Sequence, residues 1–145
     1  MAGRWRQTLS DRRDIETLLF ANDAFYQAIV SRDMDALEGL WSVNAPASCV
    51  HPGWPPLHGR MEVMESWQRI MAGPAPPQII CHQAGANLIG DIGLVTCYEQ
   101  IGREWLVATN LFNREGTGWV IFHHQSGPTV APPQGDDVAE ARPLN

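Results

Sequence analysis

The residues with the clearest capacity for chemistry lie in one short stretch, Cys49-Val50-His51-Pro52-Gly53-Trp54-Pro55-Pro56-Leu57-His58-Gly59. An imidazole titrates close to neutral pH, so His51 suits proton abstraction; it suits equally a hydrogen bond to backbone that stabilises the turn. Proline has no N–H for a ladder and pushes the preceding residue out of the helical region. The apolar run Ala47 to Val50 therefore reads as a strand that breaks at His51. The loop beyond it holds Trp54, as a lid or as packing, and ends at His58, which is placed to brace the next helix. A strand ending in histidine, a stiff aromatic loop and a helix make one wall of a small-molecule pocket.

Other chemistries lack their residues. Cys49-x-His51 and Cys81-His82 match no standard zinc spacing, and the adjacent His123 and His124 project to opposite faces of a strand. There is no phosphate-cradling glycine loop, nucleophile elbow or dinucleotide fingerprint. Neither a metal nor a cofactor is expected.

These residues need elements to hold them. Ile15, Leu18, Leu19, Asn22, Phe25, Tyr26, Ile29 and Val30 recur at helical spacing, which predicts a long amphipathic helix capped at Ser10 or Asp11. Asp33 caps a second, short helix with Leu37, Leu40 and Trp41. A third starts near Arg60, turns Val63, Met64, Trp67, Ile70 and Met71 to one face, and stops at Gly73-Pro74. From Ile79 the period falls to two. Strands over 79–89, 93–101, 104–114 and 119–125 are joined by Gly90-Asp91, Gly102-Arg103 and Glu115-Gly116-Thr117-Gly118, an antiparallel meander. The expectation is an α+β domain over 11–128, with a loose start (1–10) and a disordered Pro-, Gly- and acid-rich tail (129–145).

Composition narrows the partners. The net charge is −6 and all ten basic residues are arginines, scattered with no basic stripe, which excludes nucleic acid and argues against anionic membranes. No apolar run approaches the roughly 20 residues that span a bilayer. Three cysteines in apolar runs read as buried free thiols, and the chain as cytoplasmic. Trp105, Val107 and Leu111 alternate with Leu106 and Phe112, so the outer sheet face is apolar too. A second copy of the chain would cover it, giving a homodimer.

The order of elements resembles the nuclear-transport-factor-2-like superfamily, in particular its SnoaL-like and ketosteroid-isomerase-like branch. Ser31-Arg32-Asp33-Met34-Asp35-Ala36-Leu37, the loop from His51-Pro52 to Leu57-His58-Gly59-Arg60, and Gly118-Trp119 with His123-His124-Gln125-Ser126-Gly127-Pro128 carry the likeness. It implies a cone-shaped fold, with about three helices on a curved, mainly antiparallel sheet around a pocket. Members isomerise, dehydrate or cyclise small molecules there, or serve as noncatalytic modules. The isomerase base falls on His51, and the helix tyrosine on Phe25, with Tyr26 beside it on the helix surface. The protonated aspartic acid falls on Ala108. Both oxyanion donors are thus missing, and losing one typically costs on the order of 10²–10³ in rate, so steroid isomerisation by that route is not expected.

If Ala108 faces the pocket, so do Leu106, Asn110 and Phe112, and the same registration turns Ile121, His123 and Gln125 inward and His124 outward. The expected lining is Phe25, Tyr26, Trp41, Trp54, Trp67, Leu106 and Phe112, with His51, Asn110, His123 and Gln125 as polar groups. Each has a plainer role as core or as a satisfied buried amide or imidazole. Glu99 is a pocket carboxylate or, as the plainer reading has it, an exposed charge near Arg103. The function implied is binding of a small apolar ligand, with cofactor-independent isomerase, lyase or cyclase chemistry on His51 assisted by Asn110 and His123. The alternative is a noncatalytic binding or dimerisation module with a vestigial pocket.

Overall fold

The computed structural model of the chain describes residues 8–75 and 78–133. Helix α1 (Leu9–Val30) opens earlier than the spacing predicts. Its cap is Thr8, whose Oγ1 accepts from the Asp11 N–H while the Asp11 carboxylate accepts from the Thr8 N–H. Asp11 is the reciprocal member of this capping box and not the cap itself. Asp33 does cap α2 (Met34–Leu40), accepting from the Ala36 N–H at 3.0 Å. Helix α3 (Arg60–Met71) follows Gly59 at φ +89°, a left-handed value that only glycine adopts freely. His58 braces it through its backbone N–H, which donates to Glu62, while the imidazole stays exposed. Arg32 and Arg60 tie the helices together by donating to the carbonyls of Gly73 and Glu38.

Among the described residues, six strands form one curved, mixed sheet. They are β1 (Ser48–Val50), β2 (Leu57–His58), β3 (Ile79–Ile89), β4 (Ile92–Ile101), β5 (Glu104–Glu115) and β6 (Gly118–Thr129), in the order β2-β1-β6-β5-β4-β3. The meander is antiparallel, as expected, and its turns place Gly90, Gly102 and Gly116 at positive φ. Two pairings were not expected: β2 exists, and β1 runs parallel to β6. Strand β6 also continues past Gln125, because Ser126 to Thr129 pair with the first half of β5. The chain ends expected to be loose lie outside the described residues at 1–7 and 134–145, whereas Leu9, Ser10 and Thr129 belong to regular elements. No helix among the described residues is long and apolar enough to cross a membrane.

Helix α1 lies across the concave face of the sheet and buries Leu18, Phe25 and Ile29 completely, with Leu37, Trp41, Val63, Val95, Phe112 and Ile121 around them. Its approach to β4 depends on Gly93. A Cβ there would stand 2.6 Å from both Leu18 methyl carbons. Gly93→Ala should therefore destabilise the chain by about 1–3 kcal/mol in urea unfolding, the usual range for overpacking. Trimming Leu18 as well should return part of the loss; an unchanged midpoint in Gly93→Ala would show that the helix has slack at this point.

Candidate functional site

Strand β4 brings Val95, Cys97 and Glu99 to the concave face, and the two-residue turn at Gly102-Arg103 sets Leu106 opposite Glu99 and Ala108 opposite Cys97. Leu106, Ala108, Asn110 and Phe112 are consequently all buried, as their spacing predicts. Glu99 is only 2% exposed, which overturns its reading as an exposed charge beside Arg103. Its Oε2 accepts from the Tyr26 hydroxyl at 2.7 Å and its Oε1 from Ser126 at 2.5 Å. Tyr26 is thus not on the helix surface; it points from α1 into the cone.

In β6 the alternation slips. Phe112 pairs with Ile121 but Leu111 with His123, so Phe122 is the extra residue of a bulge. One added residue exchanges the faces of everything beyond it. His124 and Ser126 consequently point inward, and the expected inward pair, His123 and Gln125, does not. Gln125 is exposed, and His123 is half-buried with its Nδ1 2.7 Å from Ser48 Oγ.

The buried polar groups of α1, β4, β5 and β6 form one network, and those around His51 a second beside it. Asn110 Nδ2 donates to Asn22 Oδ1 (2.9 Å) and to the Tyr26 oxygen (3.1 Å), so its Oδ1 accepts from His124 Nδ1–H at 2.6 Å. The Nε2 of His124 then carries no proton and faces Glu99 Oε2 across 3.9 Å. His51 lies at the end of β1, its ring centroid 6.3 Å from that of His124. Ser66 donates to the Val63 carbonyl, so its oxygen accepts from His51 Nε2–H at 2.8 Å and leaves His51 Nδ1 as a lone pair 3.8 Å from Cys49 Sγ. Trp67 stands edge-on to His51 (4.6 Å between centroids) and to Phe25 (5.6 Å). Its buried indole N–H, like that of Trp41, meets no acceptor among the described residues.

The family can now be read from this arrangement and from likeness to known proteins. Residues 19–131 match the SnoaL-like domain. The chain belongs to the SnoaL-like branch of the nuclear-transport-factor-2-like superfamily. A crystal structure from Streptomyces avermitilis, described as a candidate dehydratase of that superfamily, is 35% identical over 83% of this chain and 99% of its own, with a TM-score of 0.75. A candidate association domain of calcium/calmodulin-dependent protein kinase type II from Thiobacillus denitrificans is 28% identical over 79% of this chain and 96% of its own, with a TM-score of 0.66. The F-box protein SKIP8 of Arabidopsis thaliana is 24% identical over 84% of this chain; the chain spans about half that curated relative, 52% of its length.

Within this SnoaL-like cone, the structure brings together Tyr26, His51, Trp67 and Asn110 of the residues expected at the site. Phe25 and Trp41 pack beside them, and Phe112 is a core residue. Trp54 covers His51 from outside, with 4.9 Å between ring centroids, and is itself half-exposed. Leu106, inward and opposite Glu99, also lines a groove of about 530 Å³ with Arg103, Trp105 and Val130. Asn22, His124 and Ser126 are the members that sequence reasoning missed, and Glu99 is one it offers only beside the plainer reading of an exposed charge.

Burial decides their charge. It pushes Glu99 above the usual carboxylate range, against the hydroxyls of Ser126 and Tyr26, which favour the anion. It lowers His124 to about 3, assisted by His123, and His51 to about 4, assisted by His124. Both imidazoles are therefore neutral near pH 7, and the His124–Glu99 contact is a bare nitrogen facing a carboxyl, not an ion pair. The unfolded chain binds protons on these imidazoles near pH 6.5, where the folded chain does not, so acid favours unfolding. Stability from this source is complete above pH 6.5 and is lost as the pH falls through about 4. Urea unfolding across that window should show a declining free energy, and His124→Gln should flatten the decline; an identical slope in the variant would contradict the neutral buried imidazole.

Proposed function

We propose that this SnoaL-like chain binds a small, largely apolar molecule within the cone and moves a proton on it without a cofactor, as an isomerase or lyase. The observation that carries the reading is Glu99, a carboxyl buried beside an unprotonated imidazole nitrogen and held by two hydroxyls. Such a group opposes folding, since apolar residues of similar volume fill a core at lower cost. It suits proton transfer instead, because a carboxylate raised toward neutrality is a stronger base than an ordinary one.

In this reading Glu99 takes the proton. The Tyr26 and Ser126 hydroxyls hold its carboxylate in place, and the Asn110 amide orients Tyr26 and His124 around it. His51, its Nε2–H committed to Ser66 and its pKa lowered to about 4, holds the ligand as a hydrogen-bond acceptor and is a weak base. The unpartnered Trp67 N–H supplies a donor for a carbonyl or hydroxyl oxygen. Likeness to a candidate dehydratase supports the lyase branch, in which proton removal is coupled to loss of a hydroxyl.

The noncatalytic reading has its own support. Phe25, Trp41 and Phe112 are all but fully buried, Glu99, Asn110 and His124 already have internal partners, and one relative is described as an association domain. Exchange in D₂O separates the two. With small apolar ketones and β-hydroxycarbonyl compounds as probes, proton NMR should show deuterium entering the acidic carbon position. Glu99→Gln should slow exchange by on the order of 10²–10⁴. Equal rates would remove Glu99 from the reaction, and binding without exchange would transfer the chain to the noncatalytic reading.

We further propose that two copies pair through the convex sheet face, where Val107 is 44% exposed beside the half-buried Tyr98, Trp105 and Leu111. Light scattering should give twice the 16.1 kDa chain mass, and Val107→Glu should reduce it to one. A wild-type monomer would end this proposal.

A further inference from the structure

Strands β3 and β4 place two of the chain's thiols against the same helix. Cys81 sits on the concave side of β3 opposite Glu99, just before the bulge that shifts register between His82 and Gly85. Cys97 lies two residues before Glu99 on β4, which puts it on the same face and diagonal to Cys81. One turn of α1 serves both: Asn22 Nδ2 donates to Cys81 Sγ at 3.7 Å, and the Tyr26 hydroxyl lies 3.2 Å from Cys97 Sγ. The thiols differ in access, Cys97 being buried and Cys81 half-exposed.

We propose that Cys81 and Cys97 form an oxidisable dithiol, in which hydroperoxide attacks at Cys81 and Cys97 closes the disulfide. The division of labour follows from the surroundings. The neighbouring Cys97 thiol and the Asn22 amide favour the Cys81 thiolate, whereas Cys81 and burial keep Cys97 protonated. The third thiol, Cys49, is no competitor: it is fully buried and its pKa is pushed up to about 12.

The chemistry balances in two steps. The Cys81 thiolate attacks one peroxide oxygen, the O–O bond breaks, Cys81 becomes a sulfenic acid, and the other oxygen leaves as an alcohol, or as water from hydrogen peroxide, after taking a proton. Cys97 sulfur then attacks Cys81 sulfur; the S–S bond forms, the S–O bond breaks, and water departs with the Cys97 proton. Two thiols lose two electrons together and the hydroperoxide gains them. Because Tyr26 also donates to Glu99, the bridge forms beside the candidate site, yet the proposal does not require that site to be catalytic.

The sequence makes the test direct. No arginine or lysine falls between Arg69 and Arg103, so trypsin releases Cys81 and Cys97 on one peptide, while Cys49 leaves on the peptide ending at Arg60. The full chain is treated with hydrogen peroxide, quenched with an alkylating reagent in denaturant, digested and weighed. The expected 70–103 peptide is two hydrogens lighter and unalkylated, reverts with dithiothreitol, and is accompanied by a fully alkylated Cys49 peptide. In Cys97→Ser the sulfenic acid should persist at Cys81 and be captured by dimedone. Full alkylation of the wild-type 70–103 peptide, or bridging through Cys49, would overturn the proposal, and neither reading depends on the variant folding.

Discussion

The amide of Asn110 joins helix to sheet inside the cone, and its orientation decides the state of its neighbours. Its nitrogen is committed to Asn22 and Tyr26 on α1, so its oxygen is left for His124 on β6. That choice fixes the His124 tautomer and directs an unprotonated nitrogen at Glu99. A reversed amide would set two acceptors against each other at Asn22 and place a donor against the His124 N–H. Buried as these groups are, each unmet one costs about 1–3 kcal/mol. The network is therefore held as a unit, and the position of α1 follows from it as much as from the packing of Leu18, Phe25 and Ile29.

The fold was largely legible because its signals are local. Helical spacing located α1 and α3, Asp33 marked the start of α2, and three glycine turns paired the long strands. Those features act over a few residues. The parallel pairing of β1 with β6 joins segments about half the chain apart, and nothing near Ser48 or His123 announces it. Strand β2 is a two-residue segment paired with β1 and has no pattern of its own.

The site was half legible for a different reason. Parity along β5 placed Leu106, Ala108, Asn110 and Phe112 correctly, because that strand is regular through them. Parity failed on β6 because the bulge at Phe122 inserts one residue, and two adjacent histidines read the same from either face. Glu99 was recoverable: a two-residue turn at Gly102-Arg103 pairs it with Leu106, whose inward direction was already assigned. Helical spacing put Tyr26 on the apolar face of α1 with Phe25, where it is buried. Only the match of the isomerase tyrosine to Phe25 set it on the helix surface, and a helix lying across a concave sheet buries an arc wide enough for both.

The register shift in β3 has a consequence for how the chain meets its neighbours. This strand is the outer edge of the sheet, with a row of backbone donors and acceptors that another chain's strand would find complementary. Gln83, at φ +53°, twists that row out of line where it would otherwise run unbroken for eleven residues. The interruption protects the edge from strand addition. Crowded copies are steered away from fibrous, edge-to-edge growth, and contact is left to surfaces whose side chains can discriminate between partners.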